Sequence, residues 1–68
     1  MVNDVIGCKD GEYLQVLLNS RHPSSVSLKK ETPVTINSYW ATFVDYRGRQ
    51  WDVPLSNLAG IIHKKAHD

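Results

Sequence analysis

Residues 39–53, YWATFVDYRGRQWDV, decide the fold of this chain. Aromatic and β-branched residues dominate the first seven positions and give them the strongest β propensity in the sequence. Residues 45–48, Asp-Tyr-Arg-Gly, have the composition of a hairpin turn, because glycine adopts the left-handed conformation that such turns need. Trp51 and Val53 continue on a return strand, and Pro54 ends it. The stretch therefore predicts an antiparallel hairpin.

The pattern on both sides of this hairpin predicts further short strands. Residues 24–29 alternate apolar and polar side chains with a period of two, which is typical of a half-buried strand. Residues 31–33 predict a turn, and Val34 and Ile36 face inward on the next strand. Residues 55–58 predict one tight helical turn, residues 61–62 a last short strand, and residues 64–68 a frayed polar tail. The inward positions of these elements and of the segment before them give a predicted core of Leu14, Leu18, Val26, Leu28, Val34, Ile36, Phe43, Val53, Leu58 and Ile61.

Residues 10–21 are the one segment for which we predict an α-helix. Asp10 is placed as a helix N-cap, and Glu12 lies in the first turn, where the helix dipole favours a carboxylate. Apolar residues follow at helical spacing, and a proline two residues beyond the segment ends the pattern. A strand is the alternative, because apolar side chains also alternate over residues 14–18. The helix propensity of leucine favours the helix.

This order of elements predicts one mainly β domain that spans residues 1–68. Residues 1–9 would form an N-terminal arm, residues 10–21 the helix, and residues 24–63 a barrel. One helix followed by about five short antiparallel strands fits a small, strongly bent barrel of the SH3-like or Sm-like kind. A chain of 68 residues buries only about 60% of the surface that its unfolded form exposes, so we expect a thin core and no second domain.

The composition of the chain indicates its cellular compartment but says little about what kind of partner it binds. The formal net charge is +1, whereas nucleic-acid binders usually carry a strong basic excess. Cys8 is the only cysteine, so no disulfide forms within the chain, and a lone thiol indicates a reducing compartment. No apolar run approaches the roughly 20 residues of a membrane span, and no signal peptide is recognisable. We therefore expect a cytoplasmic protein.

Residues that could support catalysis are too scattered for an active site. The histidines at positions 22, 63 and 67 lack metal-ligand spacing, and Cys8 has no neighbouring cysteine or histidine. The four glycines are isolated, so no phosphate-binding loop is present. A small barrel also fills its interior with side chains and leaves little room for a substrate. We expect a protein that binds a partner, with no enzymatic activity, no metal and no cofactor.

Two stretches of this sequence resemble the Rof family of small bacterial proteins that inhibit the transcription terminator Rho. Residues 6–16, IGCKDGEYLQV, resemble the opening signature of the family, which has Ile, any residue, Cys and then acidic residues leading into a helix. Residues 45–63 resemble its last hairpin and closing strand, with matches at Asp45, Gly48 and His63. The chain is nearly neutral, in contrast to the acidic members of the family.

The resemblance implies an Sm-like fold and a role as a Rho-binding antiterminator. On this reading the protein docks on the RNA-binding domain of Rho, blocks RNA loading and prevents Rho-dependent termination. Carboxylates at the start of the helix would compete with phosphates for an electropositive site, as a form of RNA mimicry. The implied partner-binding residues are Asp10, Glu12, Gln15, Asn37, Ser38 and Tyr39.

The alternative function is direct binding of single-stranded RNA, as in Hfq, the RNA-binding Sm protein. Exposed aromatic side chains beside arginines bind RNA by stacking and by charge. Trp51 is more simply explained as a core residue in so small a domain, whereas core and surface roles are equally expected for Tyr46. The residues that would carry RNA binding are Tyr39, Tyr46, Arg47, Arg49, Lys64 and Lys65.

Overall fold

The computed structural model describes residues 3–66, and within them the chain is mainly β. The seven strands are β1 (Asp4–Ile6), β2 (Glu12–Leu18), β3 (Ser25–Ser27), β4 (Val34–Ile36), β5 (Trp40–Val44), β6 (Gln50–Pro54) and β7 (Leu58–Lys65). They form two antiparallel sheets, one with the order β1-β4-β5-β6 and one with the order β3-β2-β7. A 3-10 helix at Leu55–Asn57 joins β6 to β7.

The hairpin predicted from residues 39–53 is present. Strands β5 and β6 pair in antiparallel register, with Trp40 opposite Pro54 and Val44 opposite Gln50. Gly48 lies in the loop between them with a φ of 85°, in the left-handed region that a glycine adopts without steric penalty. The predicted helical turn before the last strand is also confirmed, as the 3-10 helix.

The predicted helix over residues 10–21 is wrong, because this segment contains strand β2. A helix would turn Val16 about 200° away from Leu14, whereas the strand directs Leu14, Val16 and Leu18 to one face, where all three are buried. Burying each such side chain is worth about 1.5–3 kcal/mol. That gain exceeds the intrinsic helix preference of a leucine, which is at most about 0.7 kcal/mol per residue.

The prediction of a five-stranded antiparallel barrel is confirmed in its mainly β, antiparallel character but not in its strand count or closure, since the described residues form seven strands in two sheets that do not close. A single isolated bridge between Leu28 and Asp45 connects the end of β3 to the end of β5. The turn after Leu28 directs the chain into the other sheet: Thr32 N donates to Lys29 O, and Glu31 adopts a φ of 65°. The bridge therefore fastens the two sheets together at one corner.

The core lies between the two sheets and agrees with most of the predicted set. Seven of the ten predicted residues are buried, and Ile36, Leu58 and Ile61 pack against them while remaining partly exposed. Val16 and Ala41 are additional core residues, both with 0% exposure. Val16 was omitted from the prediction because a helix would have pointed it away from the core.

The last strand is longer than expected and includes part of the predicted tail. Strand β7 extends to Lys65, and the backbone N–H of Ala66 donates to the Gly11 carbonyl. Tyr13 pairs with Lys64, and Glu12 pairs with Lys65. These two lysines are therefore held against β2, and the remainder of the predicted tail, residues 67–68, lies outside the described residues.

Candidate functional site

The loop between β5 and β6 is built around the carboxylate of Asp45. This side chain is 6% exposed, and both of its oxygens are used. Oδ1 accepts hydrogen bonds from the backbone N–H groups of Arg47 and Arg49, each at 2.9 Å. Oδ2 accepts a hydrogen bond from Trp51 Nε1 at 2.9 Å. A buried polar group is tolerated when its hydrogen bonds are satisfied, and here they fix the loop conformation.

These hydrogen bonds hold the pKa of Asp45 below its ordinary value. The bond from Trp51 is the largest cause. Partial burial raises the pKa, but the backbone bonds from Arg49 and Arg47 and the charge of Arg49 lower it further. Hydrogen bonds and a positive charge favour the ionised form of a carboxyl group. Asp45 is therefore a fixed anion at the base of the loop.

The loop presents Tyr46 to solvent in a defined position. Its backbone N–H donates to Ser27 O at 3.1 Å, and its side chain is 58% exposed. Arg47 Nε donates to the Tyr46 hydroxyl at 3.0 Å, and the guanidinium carbon lies 5.4 Å from the ring centroid. An exposed aromatic ring with an arginine alongside is therefore anchored to the other sheet through Ser27.

Two recesses flank Tyr46 and share it as a wall. The first has a volume of about 480 Å³ and also contacts Tyr13, Lys29 and Lys30. The second has a volume of about 340 Å³ and reaches the loop arginines and Trp51. We use the name Tyr46 surface for the aromatic and cationic side chains that line these two recesses: Tyr13, Lys29, Lys30, Tyr46, Arg47, Arg49 and Trp51.

The Tyr46 surface carries four cations, and the one carboxylate that lines it, Asp45, is occupied within the loop. The ion pair found within residues 3–66 lies elsewhere, between Glu12 Oε1 and His63 Nδ1 at 3.7 Å. The ammonium groups of Lys29 and Lys30 therefore have no carboxylate partner among the described residues. Such a surface is electropositive and attracts an anionic ligand.

Trp51 belongs partly to the core and partly to the Tyr46 surface. Its ring is stacked on Phe43, with centroids 6.2 Å apart and an interplanar angle of 8°. It is half-buried and packs against the core residues. The core role expected for Trp51 therefore fits its position, while its exposed edge lines the second recess.

The first three residues implied by the Rof resemblance do not form one surface. Glu12 Oε1 accepts a hydrogen bond from the backbone N–H of Lys9 at 3.1 Å, in the turn that precedes β2. Gln15 faces the opposite side of β2, because side chains alternate along a strand and the two positions differ by three. A helix would have placed them on one face. Asp10 is exposed in the turn.

The other three implied residues form the tight turn between β4 and β5. Asn37 Oδ1 accepts hydrogen bonds from the backbone N–H groups of Tyr39 and Trp40, at 2.8 and 2.7 Å. Ser38 lies within this turn, and Tyr39 is 70% exposed. The turn before β2 and the turn between β4 and β5 lie at opposite ends of β4, since Gly11 N donates to the Glu31 side chain ahead of that strand. They are therefore two separate surfaces.

The residues predicted for RNA binding are only partly brought together. Tyr46, Arg47 and Arg49 share one loop, whereas Tyr39 lies at the other end of β5. Tyr13, Lys29 and Lys30 complete the surface and were missed. Strand alternation over residues 12–18 would have placed Tyr13 on the outward face of β2.

Searches for related proteins found no matching family model, no similar curated protein and no similar solved structure. Within residues 3–66, no group of three potential ligands could hold a metal ion, and no helix is long and apolar enough to cross a membrane.

Proposed function

We propose that this protein is a non-catalytic module that binds single-stranded nucleic acid, with the Tyr46 surface as its binding site. The observation that carries the proposal is the position of Tyr46, an exposed ring fixed between two recesses that hold four cations. The predicted likeness to RNA-binding Sm-like proteins makes RNA the first ligand to test.

Tyr46 offers an exposed aromatic ring on which a base can stack. Unpaired bases stack on exposed aromatic side chains, each stack being worth about 1–3 kcal/mol by alanine substitution. The Tyr46 backbone N–H is bonded to Ser27 O, so the backbone that carries the ring loses little conformational freedom when a base binds. Tyr13 and Trp51 line the recesses on either side, which provides apolar contacts for the neighbouring bases.

The four cationic side chains of the Tyr46 surface can bind the phosphate groups of the same strand. Lys29 and Lys30 line the first recess, and Arg47 and Arg49 line the second. A phosphate backbone that passes over Tyr46 would therefore meet cations on both sides of the stacked base. Because the lysines have no carboxylate partner within the described residues, no ion pair has to be broken before they bind phosphate.

The proposal is tested by fluorescence anisotropy with a labelled single-stranded RNA of about ten nucleotides and with the same sequence as a duplex. We expect the single strand to bind more tightly, and log Kd to depend on log salt with a slope of magnitude about 3, from four phosphate contacts at about 0.7 each. A Lys29→Ala/Lys30→Ala variant should reduce that slope by about 1.4.

The matched control is Lys9→Ala, whose side chain lines neither recess. It should leave the salt dependence close to that of the wild type. Absence of RNA binding at low salt would contradict the proposal. So would a loss of affinity in the control equal to that in the double variant.

The second candidate is the Rho-binding antiterminator that the Rof resemblance implies. The structural observation in its favour is a group of carboxylates around the turn before β2. Glu12 closes the turn by accepting from Lys9 N, and Glu31 accepts from Gly11 N at 3.1 Å. With Asp10, these side chains present negative charge that could compete with RNA for an electropositive site on Rho. Both candidate partners belong in the cytoplasm, the compartment that Cys8 predicts.

The structure changes which residue best tests Rho binding. Glu12 is tied to Lys9 N and to His63, so its replacement would disturb the turn as well as the charge. Asp10 is exposed, and within the described residues its carboxylate has no hydrogen-bond or ion-pair partner. In a calorimetric titration against purified Rho, Asp10→Lys should weaken binding without affecting the melting temperature. A wild type that does not bind Rho, or that binds it together with RNA, would exclude this candidate.

A further inference from the structure

The outer face of the four-stranded sheet is a second surface, separate from the Tyr46 surface. Side chains alternate along β5, so Ala41 and Phe43 are buried while Trp40 and Val44 are 44% and 40% exposed. On β6 the exposed positions are 50, 52 and 54. Val5 on β1 is 65% exposed. Three large apolar side chains therefore remain accessible on one face of a thin domain.

The register of the strands places one charged residue among these side chains. Asp52 lies directly opposite Thr42, and Trp40 lies opposite Pro54, one pair further along the same face. Trp40, Thr42 and Asp52 line a recess of about 290 Å³. Within residues 3–66, no hydrogen-bond donor or cation is paired with the Asp52 carboxylate. The recess therefore combines an exposed indole, a hydroxyl group and an unpaired carboxylate.

We propose that this recess receives an arginine side chain of a protein partner. A guanidinium group stacks on the face of an indole, to which it is attracted by the ring quadrupole. Its N–H donors match the geometry of a carboxylate, which Asp52 supplies, and Thr42 adds a hydroxyl acceptor. Val5 and Val44 provide apolar contact for the residues around the arginine.

Charge complementarity identifies the occupant as a basic segment. Among the outward positions of β1, β4, β5 and β6, Asp52 is the only charged residue. A symmetric pairing of two copies centred on the recess would place two Asp52 carboxylates against each other, which is unfavourable. Nucleic acid is likewise disfavoured on this face, because no outward lysine or arginine offsets the carboxylate. This inference does not depend on the function proposed for the Tyr46 surface.

The test uses an acetylated pentapeptide, Ala-Ala-Arg-Ala-Ala with an amidated C-terminus, added to the ¹⁵N-labelled protein. The two tryptophans give two indole N–H signals in the NMR spectrum. The Trp40 indole and the Asp52 amide should shift saturably. The Trp51 indole should not, because its N–H is bonded to Asp45. The same peptide with citrulline in place of arginine is the control, since citrulline has nearly the same shape and no charge.

The variants Trp40→Ala and Asp52→Asn separate the two contributions. Trp40→Ala should weaken binding about two- to fivefold, the effect of an exposed cation–π contact. Asp52→Asn should weaken it by a similar factor, the effect of an exposed ion pair. Both side chains are exposed, so an unchanged Trp51 indole signal would verify the fold. Equal binding of the citrulline peptide, or no shift of the Trp40 indole with the arginine peptide at about 10 mM, would overturn the inference.

Discussion

The two turns that flank β5 are stabilised by the same kind of side-chain hydrogen bonding, but their surroundings differ. In each, an Asn or Asp side-chain oxygen accepts hydrogen bonds from two backbone N–H groups that follow it. Asn37 binds those of Tyr39 and Trp40, and Asp45 binds those of Arg47 and Arg49. A tyrosine directed into solvent belongs to each turn.

The difference between the turns lies in what else the acceptor side chain contacts. Asn37 is neutral and half-buried, and its oxygen serves only the turn. Asp45 is buried, and its second oxygen binds Trp51, which is itself stacked on Phe43. The second turn is therefore joined to the core, and its tyrosine is joined to the other sheet through Ser27. The backbone of the first turn is also held, since the Tyr39 carbonyl accepts a hydrogen bond from Leu55 N at 3.1 Å, so the two turns differ in the contacts of their acceptor side chains.

The largest effect should come from the core beneath the second turn. Leu28 is 2% exposed and forms the bridge to Asp45, so Leu28→Ala should cost about 2–5 kcal/mol through lost burial and a cavity. Ile36, which precedes the first turn, is only partly buried, so Ile36→Ala should cost less. Urea unfolding at neutral pH measures both. Equal losses of unfolding free energy in the two variants would show that the core stabilises the two turns equally.

The second effect separates the two tyrosines as RNA contacts. Tyr46→Ala should lower RNA affinity by about 1–3 kcal/mol, the range measured for base stacking on aromatic side chains. Tyr39→Ala is the matched control, because Tyr39 is also exposed, at 70% against 58% for Tyr46, but lines neither recess of the Tyr46 surface. Anisotropy titrations at low salt provide the comparison. Equal losses in both variants would place the RNA site elsewhere.

The second turn was also the part of the molecule most open to prediction from sequence. Its signal is local: a β-prone run, then residues 45–48 with glycine where a left-handed residue is needed. The 3-10 helix after Pro54 is local for the same reason. Strand β2 was not predictable in this way, since alternation over residues 14–18 fits a strand and leucine favours a helix. Pairing with β3 and β7 on both sides decides the outcome, and the longer of these two partners, β7, begins only at Leu58, far from β2 in sequence.

Part of the Tyr46 surface could be predicted from residues that are neighbours in sequence, and part depends on long-range strand pairing. Tyr46, Arg47 and Arg49 are neighbours in sequence, and they were recognised together. Tyr13 and Lys29 join them only because β2 pairs with β3 and the Leu28–Asp45 bridge draws the two sheets together. The assignment of residues 10–21 to a helix hid this relationship.

A smaller effect should come from the backbone of the second turn alone. Gly48 has a φ of 85°, and a Cβ added there would meet no atom within 4 Å. Gly48→Ala should therefore lower the free energy of unfolding by about 1 kcal/mol, because alanine adopts the left-handed backbone conformation only at an energetic cost. No steric contact with neighbouring atoms contributes to this loss. Gly48→Asn should cost less, since asparagine tolerates this region. Thermal unfolding of both variants tests the explanation, and equal losses would point to a contact that the backbone argument omits.

The smallest effect should appear in the acid dependence of stability, where the charged and neutral turn acceptors differ. Asp45 has a lowered pKa in the folded protein, so the unfolded chain binds a proton at higher pH than the folded protein does. Its contribution is therefore complete above the ordinary pKa of 3.8 and declines as the pH falls through the lowered value. Asp45→Asn keeps a carbonyl oxygen for the backbone N–H groups of Arg47 and Arg49 and cannot lose a charge. Its amide nitrogen cannot accept the hydrogen bond from Trp51 Nε1, so the variant should be less stable at neutral pH, and the comparison concerns the pH dependence. Thermal unfolding from pH 6 down to about pH 2 should show a steeper decline for the wild type than for Asp45→Asn. If the melting temperatures of the two proteins declined in parallel, the charge of Asp45 would not stabilise its turn. The Asp45 side chain would then act in its turn as the neutral amide of Asn37 acts in the other.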